Sequence, residues 1–300
     1  MTLRTELLRF PTPDGGVEIL DLVLERLHAF DAAEAAQLDA GAPFSPELTA
    51  KLQAAMLLEG PTADVIREAC RHGRARSHMP PPPDPGDAPD SPIWARAEDL
   101  PAMIAPAWRD PERWRRLAED HRAGRALLRL EGLLTPNAAE ALRADAAALP
   151  FEERHTAYVQ GGGCELSGEQ LSGWLEPLAR GPLHALLSAV MRQALPARMF
   201  SRVWRLGPGD GIAVHKDGLH YVATLSIGLS PDWTARHGGA IAFGRPTPGG
   251  ALDVTDRWLP HLGDALLFRP SALAWHGVEP VIDGTRYTLT THYVSPRYGA

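Results

Sequence analysis

The sequence predicts an α+β protein: a helix-rich stretch followed by an all-β half that closes on itself. Three observations predict it. Helix-capping signals and helical periodicity are confined to the chain before about residue 199, whereas short alternating apolar runs follow one another after it. Gly and Pro turns separate those runs, which is the pattern of a β-sandwich or small barrel. Finally, the proline-rich stretch "MPPPPDPGDAPDSP", residues 79–92, admits neither helix nor central strand and divides off a small N-terminal module.

The elements follow in chain order. Within the module, residues 1–78, "VEILDLVLERLHAF" reads as one or two strands and "DAAEAAQLDAG" as a helix, with Asp31 as N-cap and Glu34 completing a capping box. A second helix starts at Ser45 with Pro46 in its first turn and runs to Gly60, and Thr62 caps a third. Residues 79–108 read as an extended linker, and residues 109–300 as the main domain. Its helices are "DPERWRRLAEDHRAG" and "TPNAAEALRADAAALP", with the strand "RALLRLEG" between them. The β half then reads "MFSRVWRLG", "GIAVHKD", "YVATLSIGLS", "GAIAFG", "ALLFRP", "HGVEPVI" and "TRYTLTTHYV".

Composition narrows the function classes. A formal net charge of -7 over 300 residues gives no electrostatic reason to expect nucleic acid. Two cysteines, Cys70 and Cys164, make neither a disulfide framework nor a zinc cluster and fit a reducing compartment. No apolar run approaches the roughly 20 residues of a membrane span, and the N-terminus lacks a signal-peptide core. The expectation is a cytoplasmic protein without membrane or nucleic-acid partners.

The chemistry concentrates in the β half. In "GDGIAVHKDG", residues 209–218, His215 and Asp217 stand two apart, so on a strand both point to one face. "LAWHGVEPV" places His276 at the head of a later strand. Two histidines and one carboxylate form the facial triad that holds non-haem Fe(II) and leaves positions open. Zinc with the same three ligands stays an alternative, although a closed structural zinc site usually adds a fourth ligand, often sulfur. In "GTRYTLTTHYV", Arg286, Thr288, Thr290 and His292 share a strand face. An arginine grips a carboxylate through two parallel hydrogen bonds, and a threonine hydroxyl adds a third.

The order His215-x-Asp217, His276, Arg286-x-Thr288 resembles the 2-oxoglutarate and Fe(II)-dependent oxygenases, particularly the prolyl-hydroxylase-like branch. "YVATLSIGLSPDW" and "GGAIAF" are similar to the strands between those anchors, and the resemblance covers about residues 125–296. It implies a double-stranded β-helix, or jelly roll, with flanking helices and a core at about residues 199–296. It also implies Fe(II) on His215, Asp217 and His276, and the distal carboxylate of 2-oxoglutarate on Arg286 with Thr288. The implied activity is dioxygenase chemistry that consumes O2 and 2-oxoglutarate and oxidises a C–H bond. Halogenating relatives carry a small residue in place of the carboxylate, so Asp217 favours hydroxylation. Where the branch often has a tyrosine on the strand after His-x-Asp, this chain offers Ser226 and Gly228, and Ser226 is the expected substitute contact.

One local signal conflicts with that topology. The Asp-Gly pair in "VIDGTR" is a strong hairpin signal, which would separate His276 from the register of Arg286 by about 16 Å of strand. The family topology instead sends this turn between opposing sheets, and that arrangement is the expected one.

The N-terminal stretch "EILDLVLERLHAFDAAEAAQLDAG" resembles the small winged-helix-like module that recognises leader peptides in ribosomal-peptide biosynthesis. It implies a peptide or protein substrate, with a leader adding a strand to the module's edge. A free amino acid or small metabolite as substrate, a structural role for the module, and a non-catalytic metal- or peptide-binding jelly roll are the alternatives.

Overall fold

The computed structural model describes residues 2–4, 7–21, 26–41, 43–60, 63, 92–167, 169–218, 221–247, 251–270 and 274–295. The third N-terminal helix expected at Thr62, the proline-rich stretch up to Ser91, Cys70 and His220 lie outside the described residues.

The N-terminal module is an antiparallel three-stranded sheet, β1 (Leu7–Pro11), β2 (Val17–Asp21) and β3 (Arg26–Phe30), followed by α1 (Ala32–Ala40) and α2 (Pro46–Ala54). Strand β1 adds to the strands read from sequence. The capping box at α1 forms: Glu34 N donates to Asp31 Oδ1 at 2.9 Å, and Asp31 N donates to Glu34 Oε2 at 2.9 Å. Helix α2 ends at Ala54, short of Gly60. Met56 takes the left-handed conformation (φ 59°), and Leu57 N reaches back to Leu52 O at 2.9 Å. This is a Schellman closure without glycine, and it turns Leu57 and Leu58 into the module core beside Ile19, Phe30 and Leu52.

The linker reading of residues 79–108 is corrected from Trp94 onward. Two short 3-10 turns, Trp94–Ala97 and Pro106–Arg109, bury Trp94 and Trp108 against Trp114 of α3 (Pro111–Arg122). The indoles are satisfied there: Trp114 Nε1 donates to Trp108 O at 2.7 Å and Trp108 Nε1 to Glu131 O at 3.1 Å. Burying Trp94, Trp108 and Trp114, with the Trp108 and Trp114 N–H groups paired, makes this segment core rather than tether.

Strand β4 (Leu127–Leu130) and α4 (Pro136–Ala147) stand where the sequence puts them. Next come β5 (Glu152–His155), β6 (Val159–Glu165), α5 (Ser172–Ala179) and α6 (Pro182–Val190), which the sequence reading had not resolved. The barrel strands are β7 (Met199–Leu206), β8 (Gly211–His215), β9 (Tyr221–Gly228), β10 (Ile241–Pro246), β11 (Leu252–Trp258), β12 (Ala265–Phe268), β13 (Trp275–Val278) and β14 (Arg286–Val294). They form two antiparallel halves, β11-β10-β13-β8 and β7-β14-β9-β12, joined by β6, which pairs with both β7 and β8. The chain passes from half to half, which makes a double-stranded β-helix. Strand β13 pairs with β8 and β10, and β14 with β7 and β9. The Asp283-Gly284 turn therefore crosses between sheets and makes no hairpin.

The helices cover the outer face of β7-β14-β9-β12, where Val203, Leu225, Ile227 and Leu289 join their core. A second cluster, including Ile212, Phe243, Phe268 and Val278, fills part of the interior. Strand β9 is buried along its whole length because helices cover one face and the interior takes the other. Among the described residues no helix is long and apolar enough to cross a membrane.

Candidate active site

His215 is the last residue of β8 and His276 the second of β13, and the two are direct partners across that strand pair. The register alone brings their rings to 4.3 Å between centroids. Asp217 lies just past the end of β8, with Oδ1 at 3.8 Å from His215 Nε2 and 3.6 Å from His276 Nε2. All three side chains are buried, and one ligand atom from each lies within 4.8 Å of the others.

Tautomers follow from the hydrogen bonds. His215 Nδ1 sits 2.8 Å from Ala213 O and His276 Nδ1 3.0 Å from Ala274 O. A carbonyl only accepts, so each Nδ1 carries the proton and each Nε2 turns a lone pair toward Asp217. Burial, helped by the neighbouring His276, pushes the His215 pKa down to about 3, which keeps that lone pair available. Burial opposes the charge on Asp217, but His276, His292 and His215, with a hydrogen bond from Thr224, hold its pKa below the ordinary carboxylate value. Phe243 and Phe268 pack against His276, each with ring centroids 5.3 Å away, and Tyr158 stands edge-on to His215 at 5.1 Å. The Lys216 ammonium lies over the Trp275 ring, 4.8 Å from its centroid.

A cavity of about 440 Å³ contains the triad and extends to Arg286, Thr290, Ser226 and His292. Arg286 opens β14, almost wholly buried, and its Nε donates to Gly239 O at 2.7 Å. Among the described residues, its Nη2 and the buried hydroxyl of Thr288 have no hydrogen-bond partner. Burial pushes the guanidinium pKa down to about 9. Unpaired buried donors of this kind are costly, and a carboxylate entering the cavity beside Arg286 would satisfy its Nη2. Ser226 lies opposite Thr290 across β9 and β14, with hydroxyl oxygens 3.4 Å apart. At Gly228 a Cβ would stand 2.2 Å from His261 O, so the chain crossing at Pro260–His261 leaves no room for any side chain, tyrosine included.

Sequence reasoning did not single out Thr224, and it placed His292 on the strand face of Arg286 as either a pocket-lining residue or a core hydrogen-bond partner. Thr224 Oγ1 donates to Asp217 Oδ2 at 2.7 Å, and His292 Nδ1 lies 3.0 Å from Thr224 Oγ1. The available signal was the two-residue period of β9, which puts Thr224 on the face of Ser226. The N-terminal module also reaches the site. Leu20 and Asp21 of β2 line the cavity, Glu18 Oε2 accepts from Ala157 N at 2.9 Å, and Phe10 packs on Tyr158 at 5.4 Å between centroids.

The donor set suits a ferrous ion. Two imidazole nitrogens and one carboxylate oxygen converge in a buried cavity, and no cysteine joins them among the described residues. The buried Arg286 guanidinium on the cavity wall in turn fits one end of a dicarboxylate.

Residues 199–294 match the model of the 2OG-Fe(II) oxygenase superfamily, where 2OG is 2-oxoglutarate. No curated protein matches the sequence. Among solved structures, a prolyl hydroxylase from Trichoplax adhaerens, in complex with a hypoxia inducible factor oxygen degradation domain peptide fragment, is similar over 61% of this chain and 91% of its own. It has 16% identity and a TM-score of 0.50. A Pseudomonas putida prolyl-4-hydroxylase aligns over 60% of this chain and 97% of its own, with 16% identity and a TM-score of 0.49. The epimerase SnoN from nogalamycin biosynthesis aligns over 64% and 88%, with 17% identity and a TM-score of 0.46. The segment that matches this superfamily model contains the whole His215, Asp217 and His276 triad, and the fold around it is similar to that of the Trichoplax prolyl hydroxylase.

Proposed function

We propose that the chain is a dioxygenase that hydroxylates a C–H bond on a peptide or protein side chain, with ribosomal-peptide modification as its setting. His215, Asp217 and His276 hold Fe(II), and Arg286 with Thr288 holds the distal carboxylate of 2-oxoglutarate. Ser226 and Thr290 flank that cosubstrate. The observation that carries this reading is Arg286 Nη2, a buried donor on the wall of the triad cavity that has no hydrogen-bond partner among the described residues.

When bound, iron and 2-oxoglutarate supply the oxidising chemistry: O2 is consumed, 2-oxoglutarate becomes succinate and carbon dioxide, and one oxygen atom enters the substrate C–H bond. The chain supplies position. The Ala213 and Ala274 carbonyls hold the two imidazoles in the ligating tautomer. Gly239 O fixes the plane of the Arg286 fork. Phe243, Phe268 and Tyr158 surround the histidines with hydrocarbon and keep water from them.

The N-terminal sheet favours a peptide. Among the described residues β3 pairs only with β2, and a sheet edge is the place where an added peptide strand would pair. Leu20 and Asp21 meanwhile bring the same sheet to the cavity wall, which supports substrate recognition at the rim of the site. The test is incubation of the full chain with Fe(II), 2-oxoglutarate and O2 against two panels, peptides encoded beside its gene and free amino acids. The reading expects a peptide that gains one oxygen atom while succinate is released; oxidation of free amino acids alone would assign the substrate to small molecules.

A further inference from the structure

We infer that Thr224 and His292 are positioning residues for Asp217, and that together they fix which carboxylate oxygen faces the two histidines. The inference rests on the metal reading of the triad. Oδ2 of Asp217 accepts the Thr224 hydroxyl at 2.7 Å, while Oδ1 is the oxygen 3.6 Å from His276 Nε2 and 3.8 Å from His215 Nε2. The two oxygens therefore have different tasks.

Proton counting extends the chain by one residue. A threonine hydroxyl has a single hydrogen, and an ionised carboxylate only accepts, so that hydrogen points to Oδ2. The contact of 3.0 Å between Thr224 Oγ1 and His292 Nδ1 must then be donated by His292. His292 is held for that task. It is the register partner of Thr224 across β9 and β14, and its ring stacks on Tyr221 at 4.2 Å and 11°. The relay His292 to Thr224 to Asp217 is thus set by strand pairing, whereas Asp217 itself lies past the end of β8 and is not held by a ladder.

The consequence concerns coordination. A carboxylate free to turn could offer both oxygens to a metal and occupy a position that cosubstrate or O2 needs. With Oδ2 committed to Thr224, Asp217 offers one oxygen. Partners of this kind typically change metal affinity by about 10–100-fold when removed.

Titration of the metal-free full chain with Mn(II), read by calorimetry, tests this without turnover. Thr224→Val keeps shape and removes the donor, and should weaken Mn(II) binding about 10–100-fold. Thr224→Ser keeps the hydroxyl donor and should bind Mn(II) close to wild type, clearly tighter than Thr224→Val. His292→Phe keeps the ring stack, loses the Nδ1 donor and should weaken binding by a smaller factor than Thr224→Val. Should Thr224→Val fail to fold, the His292→Phe comparison still decides. Equal affinity in Thr224→Val and wild type, alongside lost binding in His215→Ala, overturns the positioning role and leaves the triad standing. Equal weakening by Val and Ser overturns it as well, since packing would then be the cause. No Mn(II) binding by wild type overturns the triad reading, and this inference with it.

Discussion

The Nε of Arg286 donates to the carbonyl oxygen of Gly239 at 2.7 Å, and this bond orients a buried guanidinium whose Nη2 has no partner among the described residues. Arg286→Lys keeps the charge but loses both the anchor and the planar fork. Losing a charged hydrogen bond costs about 1.5–3 kcal/mol, so the KM for 2-oxoglutarate should rise about 10- to 150-fold. Thr288→Ala should give a smaller rise. An unchanged KM in Arg286→Lys would move the anion site elsewhere.

Gly239 itself is constrained twice. Its φ is +65°, and a Cβ there would stand 2.9 Å from Arg286 Cδ and 3.0 Å from Val281 Cγ2. Gly239→Ala should therefore cost about 1–3 kcal/mol of stability from backbone strain, displace the guanidinium and raise the 2-oxoglutarate KM. Mn(II) affinity should hold, since the triad is anchored on β8, β13 and the loop after β8. A variant with wild-type KM and melting temperature would show that the bond does not orient the arginine.

Acid should destabilise the metal-free protein, with a contribution traceable to His215. Its pKa is about 3 in the fold, against an ordinary value of 6.5. Above pH 6.5 the imidazole is neutral in both states and its contribution is fully present. As pH falls from 6.5 toward 3, the unfolded chain takes up a proton that the folded chain refuses. Stability then drops by up to about 1.4 kcal/mol per pH unit. Asp217, whose pKa is lowered, adds a loss only as pH falls below 3.8. Urea unfolding at pH 7 and pH 4.5 should show a shallower loss in His215→Asn than in wild type; parallel losses would refute the assignment.

The N-terminal wall gives a separate prediction. Phe10→Ala with Glu18→Ala removes the ring contact to Tyr158 and the acceptor for Ala157 N. Peptide substrate KM should rise about 10-fold, the equivalent of one to two ordinary contacts. Mn(II) affinity should stay unchanged. Unaltered peptide KM would leave the module a structural extension.

Legibility in the sequence followed locality. Strand runs, caps and the order His215, Asp217, His276, Arg286, Thr288 lie within short stretches whose side-chain period can be counted. Sequence offered nothing as direct for the β8-β13 register that faces His215 with His276, or for the Thr224–His292 pairing across β9 and β14. Both depend on which strands become neighbours. Strand β6 was obscured by its run "GGG", since glycine carries no apolar alternation. The end of α2 was obscured because Met56 occupies a left-handed position that sequence normally signals with glycine. The segment from Trp94 to Trp108 looked like linker because its apolar residues follow neither helical nor strand period, and its partners, Trp114 and Glu131, come later in the chain. Proline richness suggested a module at the end of a tether, whereas Phe10 and Glu18 find the 156–158 turn beside the site.

The most direct test of the central claim is succinate formation from 2-oxoglutarate by the full chain under air with Fe(II), set beside Fe(II) content, in wild type and in His215→Ala, Asp217→Ala and His276→Ala. The account predicts iron-dependent succinate from wild type and, in each variant, loss of bound iron and of at least about 99% of turnover, consistent with removing one of three ligands to an open metal site. Succinate at wild-type rates from any of the three variants, or none from iron-loaded wild type supplied with its peptide, would contradict it.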